Sequence, residues 1–260
     1  MTVMTKHDLV VIGAGPGGYV AAIRATQLGM KVACVERMPR PGGVCLNVGC
    51  IPSKCLLDSS ENLDLLKRRL PTHGIEVEGI RLDLATMMAR KDRVVQDLCN
   101  NVRSLLEGNG VSLIQGSARL TGPTTVDVSP ASERANGDPI RLEARSILLA
   151  TGSEPIELPN LPFDGNRIIG STEALSLESV PEHLGVVGGG YIGLELGSVW
   201  QRLGSRVTVI EMLPSIAGLL DGQLSRTLHR VLARQGMEFQ LNTRVLRADV
   251  DGQKALLHLQ

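Results

Sequence analysis

The sequence predicts an α/β protein of two successive strand–turn–helix–strand units, and three observations carry that prediction. A glycine-rich turn follows a short apolar run twice, as Gly13-Ala14-Gly15-Pro16-Gly17-Gly18 and as Gly188-Gly189-Gly190-Tyr191-Ile192-Gly193. Each turn leads into a helical pattern, a glycine stop and a second β-branched run ending on an acid, Glu36 or Glu211. Between the two, Pro155, Pro159 and Pro162 mark a composition shift, which places the domains at 1–155 and 156–260.

In the first unit, residues 9–12 read as a strand, 19–28 as a helix stopped by Gly29, and 31–35 as a second strand ending at Glu36. A G-x-G-x-x-G turn between strand and helix, with an acid about twenty residues on, is the dinucleotide-binding pattern of Rossmann-like folds. Its physics is specific. Gly13 makes the turn, Gly15 lets the backbone approach a pyrophosphate, and Gly18 lets the helix pack on the strand. The uncovered amides at the helix start receive the phosphates, and Glu36 is placed to bond the adenosine ribose.

The most chemically suggestive stretch follows at residues 42–54, with Cys45 and Cys50 five apart, Gly42, Gly43 and Gly49 around them, and Lys54 four residues later. On an ideal helix such cysteines stand about 140° apart, so a bond between them requires irregular backbone, most simply at Gly49. A disulfide closing so short a loop stabilises little, which favours a redox role over a structural one. Taken alone, the same residues also read as two buried apolar thiols.

Residues 53–70 read as a helix with Pro52 at its first position, and 82–106 as a longer one closed by Gly108 and Gly110. Strands follow at 111–114 and 124–128, a polar turn-rich loop at 129–139, and an apolar strand from 146 that runs into Ala150-Thr151-Gly152-Ser153. In the second unit the strand 184–187 precedes Gly188, Gly190 and Gly193, a helix covers 194–200, and the strand 206–210 ends at Glu211. Two fingerprints imply two dinucleotides, and Glu211 favours NAD over NADP because a carboxylate repels a 2′-phosphate. A helix over 224–235 and a hairpin over 244–259 complete the pattern.

Composition narrows the function classes. Lys plus Arg and Asp plus Glu both number 27, and aromatic residues make up 2%, so neither a surface for nucleic acid or an anionic membrane nor a base-stacking one is indicated. No apolar run reaches membrane-spanning length, and the opening residues lack the pattern of a signal or transit peptide. Five cysteines without dense spacing do not form a secreted disulfide framework. The cytoplasm is the expected compartment, although a mitochondrial matrix protein with its leader removed would read the same. No metal site is expected.

The motifs at 42–54, 150–153 and 188–199 together closely resemble the dihydrolipoamide dehydrogenase family of pyridine nucleotide–disulfide oxidoreductases, over essentially the whole chain. The resemblance implies an enzyme that oxidises protein-bound dihydrolipoamide to lipoamide and reduces NAD. FAD would bind Gly13, Gly15, Gly18 and Glu36, with Thr151 and Gly152 beside it; NAD would bind Gly188, Gly190, Gly193 and Glu211. Cys45 is implied as the interchange thiol and Cys50 as the thiol beside the flavin. Lys54 would sit near the flavin and pair with Glu195, and Tyr191 resembles the residue that gates the nicotinamide site. The implied partners are lipoyl groups of 2-oxoacid dehydrogenase or glycine cleavage complexes, and the family is homodimeric.

Two departures accompany the resemblance. Val44 stands where threonine is common, and the return segment of the FAD domain, the interface domain and its acid–base histidine have no counterpart before Gln260. The expectation is therefore two incomplete dinucleotide-binding domains without the interface domain, a truncated piece of an active enzyme with impaired catalysis of its own. Two further disulfide reductases share the C-x4-C spacing, glutathione reductase and mercuric reductase. The first would be expected to carry basic residues where this chain has Glu211-Met212-Leu213. A non-catalytic nucleotide-binding remnant is the reading outside the enzymes.

Overall fold

The structure is a computed structural model that describes residues 4–130, 140–252 and 254–260. It divides into two compact units, one formed by the residues up to 51 with 92–154, the other by 52–91 with 155–260.

The first unit opens with strand β1 (Met4–Ile12), helix α1 (Pro16–Gln27) and strand β2 (Val32–Glu36). β1 and β2 are parallel, with Leu9 opposite Val32 and Ile12 opposite Val35. A short helix, α2 (Gly43–Val48), precedes α3 (Cys50–Asp64), and α4 (Leu84–Gly108) leads to β3 (Ser112–Gln115), β4 (Ser117–Gly122), β5 (Thr125–Ser129) and β6 (Ile140–Leu149). These strands form one sheet in the order β3-β2-β1-β6-β5-β4. β6 runs parallel to β1 and antiparallel to β5.

Both faces of this sheet are covered, so residues 9–12 of β1 and 32–35 of β2 are continuously apolar rather than alternating. On one face Val11, Ala22 and Cys34 pack with Val95, Cys99, Val102 and Leu106, an i, i+4, i+7, i+11 stripe along α4. On the other, Val10, Ala33 and Val35 meet Val126, Val128 and Leu142. Three strands of this sheet differ from the sequence expectation. β1 begins at Met4 and β6 at Ile140, because each is lengthened by pairing with the other from Met4 opposite Arg141 onward. β4 carries little apolar alternation and exists by pairing with β5. The expected turn-rich loop falls largely at 131–139, outside the described residues.

In the second unit, Leu56 and Leu63 of α3 and Met87 of α4 pack against Leu196, Val199 and Trp200. Those last three lie on α6 (Tyr191–Leu203), which follows a one-turn helix, α5 (Ser171–Ala174), and strand β7 (His183–Val187). Trp200 is fully buried and its indole N–H donates to the Ala174 carbonyl at 3.0 Å. Lys91 is also buried, its ammonium donating to the Leu175 carbonyl at 2.9 Å and to Ser176 Oγ at 3.2 Å. β8 (Arg206–Ile210), α7 (Gly222–Gln235) and β9 (Glu238–Gln240) complete a parallel three-stranded sheet, β7-β8-β9. β10 (Val245–Asp251) and β11 (Lys254–Leu259) form the expected antiparallel hairpin. Among the described residues no helix is long and apolar enough to cross a membrane.

Candidate dinucleotide and dithiol site

The first glycine turn leaves the end of β1 with Gly13 at φ 103°, a conformation open to glycine. Space is as restrictive as the dihedral. A Cβ on Gly13 would lie 2.2 Å from the Ala150 carbonyl oxygen, and one on Gly18 would lie 1.8 Å from the Gly13 carbonyl oxygen. α1 begins at Pro16 with Gly15 as its N-cap and no side chain bonded to its first amides. An uncapped helix start behind a turn without side chains is shaped to receive a phosphate. Glu36 is buried, and its carboxylate locks the turn: Oε2 accepts the Ala14 N–H at 2.8 Å and Oε1 accepts the Met38 N–H at 2.9 Å. A carboxylate has about four acceptor positions, so each oxygen keeps a further acceptor position beyond its backbone bond. Thr151 and Gly152 follow Ala150, whose N–H donates to the Ile12 carbonyl at 2.8 Å, which sets them beside this turn.

The second turn repeats the construction. Gly188 has φ 101°, Gly190 is the N-cap of α6 with no side-chain cap, and a Cβ on Gly193 would lie 2.8 Å from Val186 Cγ1 and 3.0 Å from the Gly188 oxygen. Glu211 Oε2 accepts from Gly189 N at 2.6 Å and Oε1 from Leu213 N at 2.7 Å. Tyr191, the first residue of α6, is 68% exposed at the mouth of this turn.

The dithiol segment lies against the first turn. Gly42 and Gly43 both take positive φ, Gly42 N–H donates to the Ala14 carbonyl at 2.8 Å, and a Cβ on Gly43 would lie 2.6 Å from Gly15 Cα. Close approach here is of chain to chain. Cys45 lies on α2 and Cys50 is the first residue of α3, with the break between the helices at Gly49. A Cβ on Gly49 would come within 2.8 Å of the Val44 carbonyl oxygen, so glycine allows the two helices to meet at this angle. α3 starts three residues earlier than the sequence suggested, which puts Pro52 third in the helix, still inside the first turn where no backbone N–H is needed. Cys45 is half-buried and Cys50 exposed. Cys34 and Cys99 are buried thiols by contrast, and burial pushes the Cys34 thiol up to about 12.

Four residues past Cys50 on the same helix, Lys54 meets Glu195: its Nζ donates to Oε1 at 2.8 Å and to Oε2 at 2.7 Å. Glu195 projects from α6, so the pair fastens α3 to the helix that follows the second turn. Several contributors carried no signal in sequence. Ala14, Met38, Gly189 and Leu213 act through backbone N–H groups, which any residue but proline offers. Arg37 and Glu154 form an ion pair linking the segments after β2 and β6, on the two sides of the first turn. At the other end of β1, a shallow cleft is lined by Lys6, His7, Asp8, Lys31, Thr124 and Arg145. Burial, then Lys31, holds His7 below the usual imidazole value. This cleft lies away from the first glycine turn along β1.

Comparison with known proteins agrees with this geometry. A family described as pyridine nucleotide-disulphide oxidoreductase matches residues 7–260. Dihydrolipoyl dehydrogenase 3 of Pseudomonas aeruginosa is 52% identical over 258 residues, 99% of this chain and 54% of that protein. Leghemoglobin reductase of Vigna unguiculata is 44% identical over 98% of this chain and 48% of its own length. LpdA from Mycobacterium tuberculosis superposes with a TM-score of 0.86 at 26% identity, over 98% of this chain and 55% of that structure. The HOCl-induced flavoprotein disulfide reductase RclA from Escherichia coli gives 0.79 at 26% identity, over 96% and 52%. The chain spans about half the length of the curated relatives it matches. It belongs to the pyridine nucleotide-disulphide oxidoreductase family.

Proposed function

We propose that this chain is the dinucleotide- and dithiol-bearing part of a dihydrolipoyl dehydrogenase, with FAD held by residues 1–155 and NAD by residues 156–260. Its reaction is oxidation of protein-bound dihydrolipoamide to lipoamide with reduction of NAD, and its partners are lipoyl groups of 2-oxoacid dehydrogenase or glycine cleavage complexes. The observation that carries the reading is the contact of Gly43 with Gly15, which brings the dithiol segment and the pyrophosphate-shaped turn together in one site. The names of the relatives support the substrate class.

Each residue then has a task. Gly13, Gly15 and Gly18 clear the way for the pyrophosphate, the first amides of α1 bind it, and Glu36 accepts from ribose hydroxyls. Thr151 and Gly152 border the same nucleotide. A substrate thiolate attacks Cys45 of a Cys45–Cys50 disulfide, forming a mixed disulfide and releasing Cys50 as the thiolate. The second substrate thiol displaces Cys45, so the substrate leaves as a cyclic disulfide and the cysteine pair has gained two electrons. FAD, when bound, supplies the two-electron carrier between that pair and NAD. Lys54 places a positive charge one helical turn from Cys50, and Glu195 fixes its position. On the second turn, Gly188, Gly190 and Gly193 admit the NAD pyrophosphate, Glu211 disfavours a 2′-phosphate, and Tyr191 covers the entrance.

The test uses the purified chain. Its visible spectrum reports bound flavin, and alkylation with peptide mapping reports the cysteine pair before and after dihydrolipoamide. Bound flavin with a Cys45–Cys50 disulfide that dihydrolipoamide opens is the expected result. A colourless protein whose two cysteines label fully before any reductant would overturn the reading.

A further inference from the structure

We propose that Asn47, oriented by the thiol of Cys99, is the positioning residue of the Cys45–Cys50 couple and sets its disulfide equilibrium. The inference rests on the reading of those two cysteines as a redox couple and goes beyond it to a residue that exchanges no electrons.

The problem Asn47 solves is the weakness of α2. Six residues are too few for a helix to sustain itself, since nucleation costs more than so few hydrogen bonds return. Its N-cap is Gly42 at φ 113°, which offers no side-chain cap, and Gly49 breaks the chain at the other end. Leu46 anchors it by burial. Asn47 supplies the directional restraint. Its Nδ2 donates to the Gly43 carbonyl at 3.0 Å and reaches the carbonyls of Pro41 at 3.4 Å and Arg40 at 3.5 Å, gathering the entry to the helix. Its Oδ1 accepts from Cys99 Sγ at 3.5 Å.

This network permits one amide orientation. Flipped, the Asn47 oxygen would face three carbonyl oxygens, with nothing to donate to it. Cys99 is fully buried on α4, in the same core that holds Leu46 and that Cys45 packs against, so it is a fixed reference. Burial raises the Cys99 thiol above its ordinary value, with Arg40 opposing, which keeps it protonated as a donor. Asn47 thus stands between the two cysteines in sequence and ties the helix that carries Cys45 to a fully buried point of the core.

The consequence is thermodynamic. A disulfide demands a narrow range of Cβ separations and torsions, so its stability relative to two thiols depends on how firmly the backbone holds that geometry. Loosening the entry to α2 lowers the effective concentration of one thiol at the other and makes the disulfide easier to reduce.

The experiment equilibrates the purified chain in glutathione buffers of varied ratio. The cysteine pair passes two electrons and two protons to glutathione disulfide, giving the Cys45–Cys50 disulfide and two glutathione molecules. Acid quenching, alkylation and peptide mass spectrometry quantify that disulfide alone. Asn47→Ala and Asn47→Asp, which both lack the amide donors, are expected to lower the equilibrium constant by about tenfold, about 30 mV for a two-electron couple. Cys99→Ala is expected to lower it about threefold, and Cys99→Ser, which keeps a donor, to restore the wild-type value. Circular dichroism confirms that each variant is folded. Folded Asn47 variants within twofold of wild type would overturn the proposal. If neither Asn47 variant folds, equal constants for Cys99→Ala and Cys99→Ser overturn it instead. A wild-type chain that forms no Cys45–Cys50 disulfide in any buffer removes the underlying reading and this inference with it, whereas a normal wild-type disulfide with unshifted variants removes this inference alone.

Discussion

At the first glycine turn, β1 lies between β2 and β6; at the second, β7 pairs with β8 and stands at the edge of its sheet. The internal construction is otherwise the same. Gly13 N–H donates to the Val35 carbonyl and Gly188 N–H to the Ile210 carbonyl, both at 2.8 Å. The acid bonds an amide 22 residues earlier in both, Ala14 or Gly189, and one two residues later, Met38 or Leu213. What differs is the wall. Gly13 faces the Ala150 backbone, whereas nothing lies within 4 Å of where a Gly188 Cβ would be. The turn is therefore a local device that closes on itself through backbone bonds, and neighbouring strands decide how strictly its glycines are required.

Substitution of the helix-packing glycines separates the two turns most. Gly18→Ala drives a methyl into the Gly13 carbonyl, which only backbone movement can relieve, and is expected to cost about 3 kcal/mol or more. Gly193→Ala meets Val186 Cγ1 at 2.8 Å and the Gly188 carbonyl oxygen at 3.0 Å, a smaller overlap than the 1.8 Å at Gly18, so about 1–2 kcal/mol is expected. Urea midpoints of the two variants measure the difference, and equal losses would contradict the steric account. Gly13→Ala and Gly188→Ala make a milder contrast. Both place a Cβ at positive φ, at about 1–2 kcal/mol, but only Gly13→Ala also strikes the Ala150 carbonyl. Its excess cost, about 1–2 kcal/mol, should disappear if the wall is not what matters.

The same contrast explains what was readable in sequence. Both fingerprints were legible because their requirements are local: glycine where a Cβ has no room, an acid at a fixed distance, β-branched runs for buried strands. The pairing of Lys54 with Glu195 could be expected only through family resemblance, since nothing in either residue's neighbourhood points to the other. β4 was not legible because its residues lack alternation and its existence depends on β5. α2 was not legible either. Six residues with a glycine at each boundary carry no periodicity, and what holds them is a contact with Gly15, burial of Leu46 and the Asn47 amide. The domain limits read from prolines and the contact-based units also describe different things: the first follows chain order, whereas residues 52–91 join the later unit through Leu56, Leu63 and Met87.

A buried thiol offers a smaller and cleaner probe of the first turn. Cys34 and Val209 are equivalent in β2 and β8, each two residues before the acid. Burial first, and Glu36 second, raise the Cys34 thiol from 9.0 to about 12. A group that resists ionising when folded contributes stability fully present below its unfolded pKa and lost as pH rises through the folded value. The wild-type chain should therefore lose stability above pH 9, by about 1 kcal/mol at pH 10. Cys34→Val, which gives the first unit the residue of the second, should remove that alkaline loss whatever it does to stability at pH 7. Urea midpoints at pH 7 and pH 10 decide it, and parallel losses in both proteins would sink the assignment.

The smallest expected effect concerns the surface pairs that tie the strands. Arg141 clasps Asp127 across β5 and β6 at 2.7 and 2.8 Å, and Arg206 clasps Glu238 across β8 and β9 at 3.0 and 2.9 Å. In each, the arginine hydrogen bond is the chief cause that holds the carboxyl below its usual range. Glu238 also accepts from the Thr208 hydroxyl at 3.1 Å, and that hydroxyl meets the His183 ring at 2.9 Å, so one carboxylate links all three strands of its sheet. A carboxyl with a depressed folded pKa contributes stability above its unfolded pKa and loses it as pH falls through the folded one. Solvent screens both pairs, so each contributes little at neutral pH. Their neighbourhoods differ, however: Asp127 supports one seam of a six-stranded sheet, Glu238 the whole of a three-stranded one. Amide exchange compared at fixed pH between wild type, Asp127→Asn and Glu238→Gln reads this directly. Protection in β9 should fall more with Glu238→Gln than protection in β6 falls with Asp127→Asn, and both differences should shrink only as pH falls below the usual carboxylate range, through the depressed folded values at which wild type loses its own carboxylates. Equal losses at pH 6 would mean that an edge strand gains no more from such a pair than a walled one.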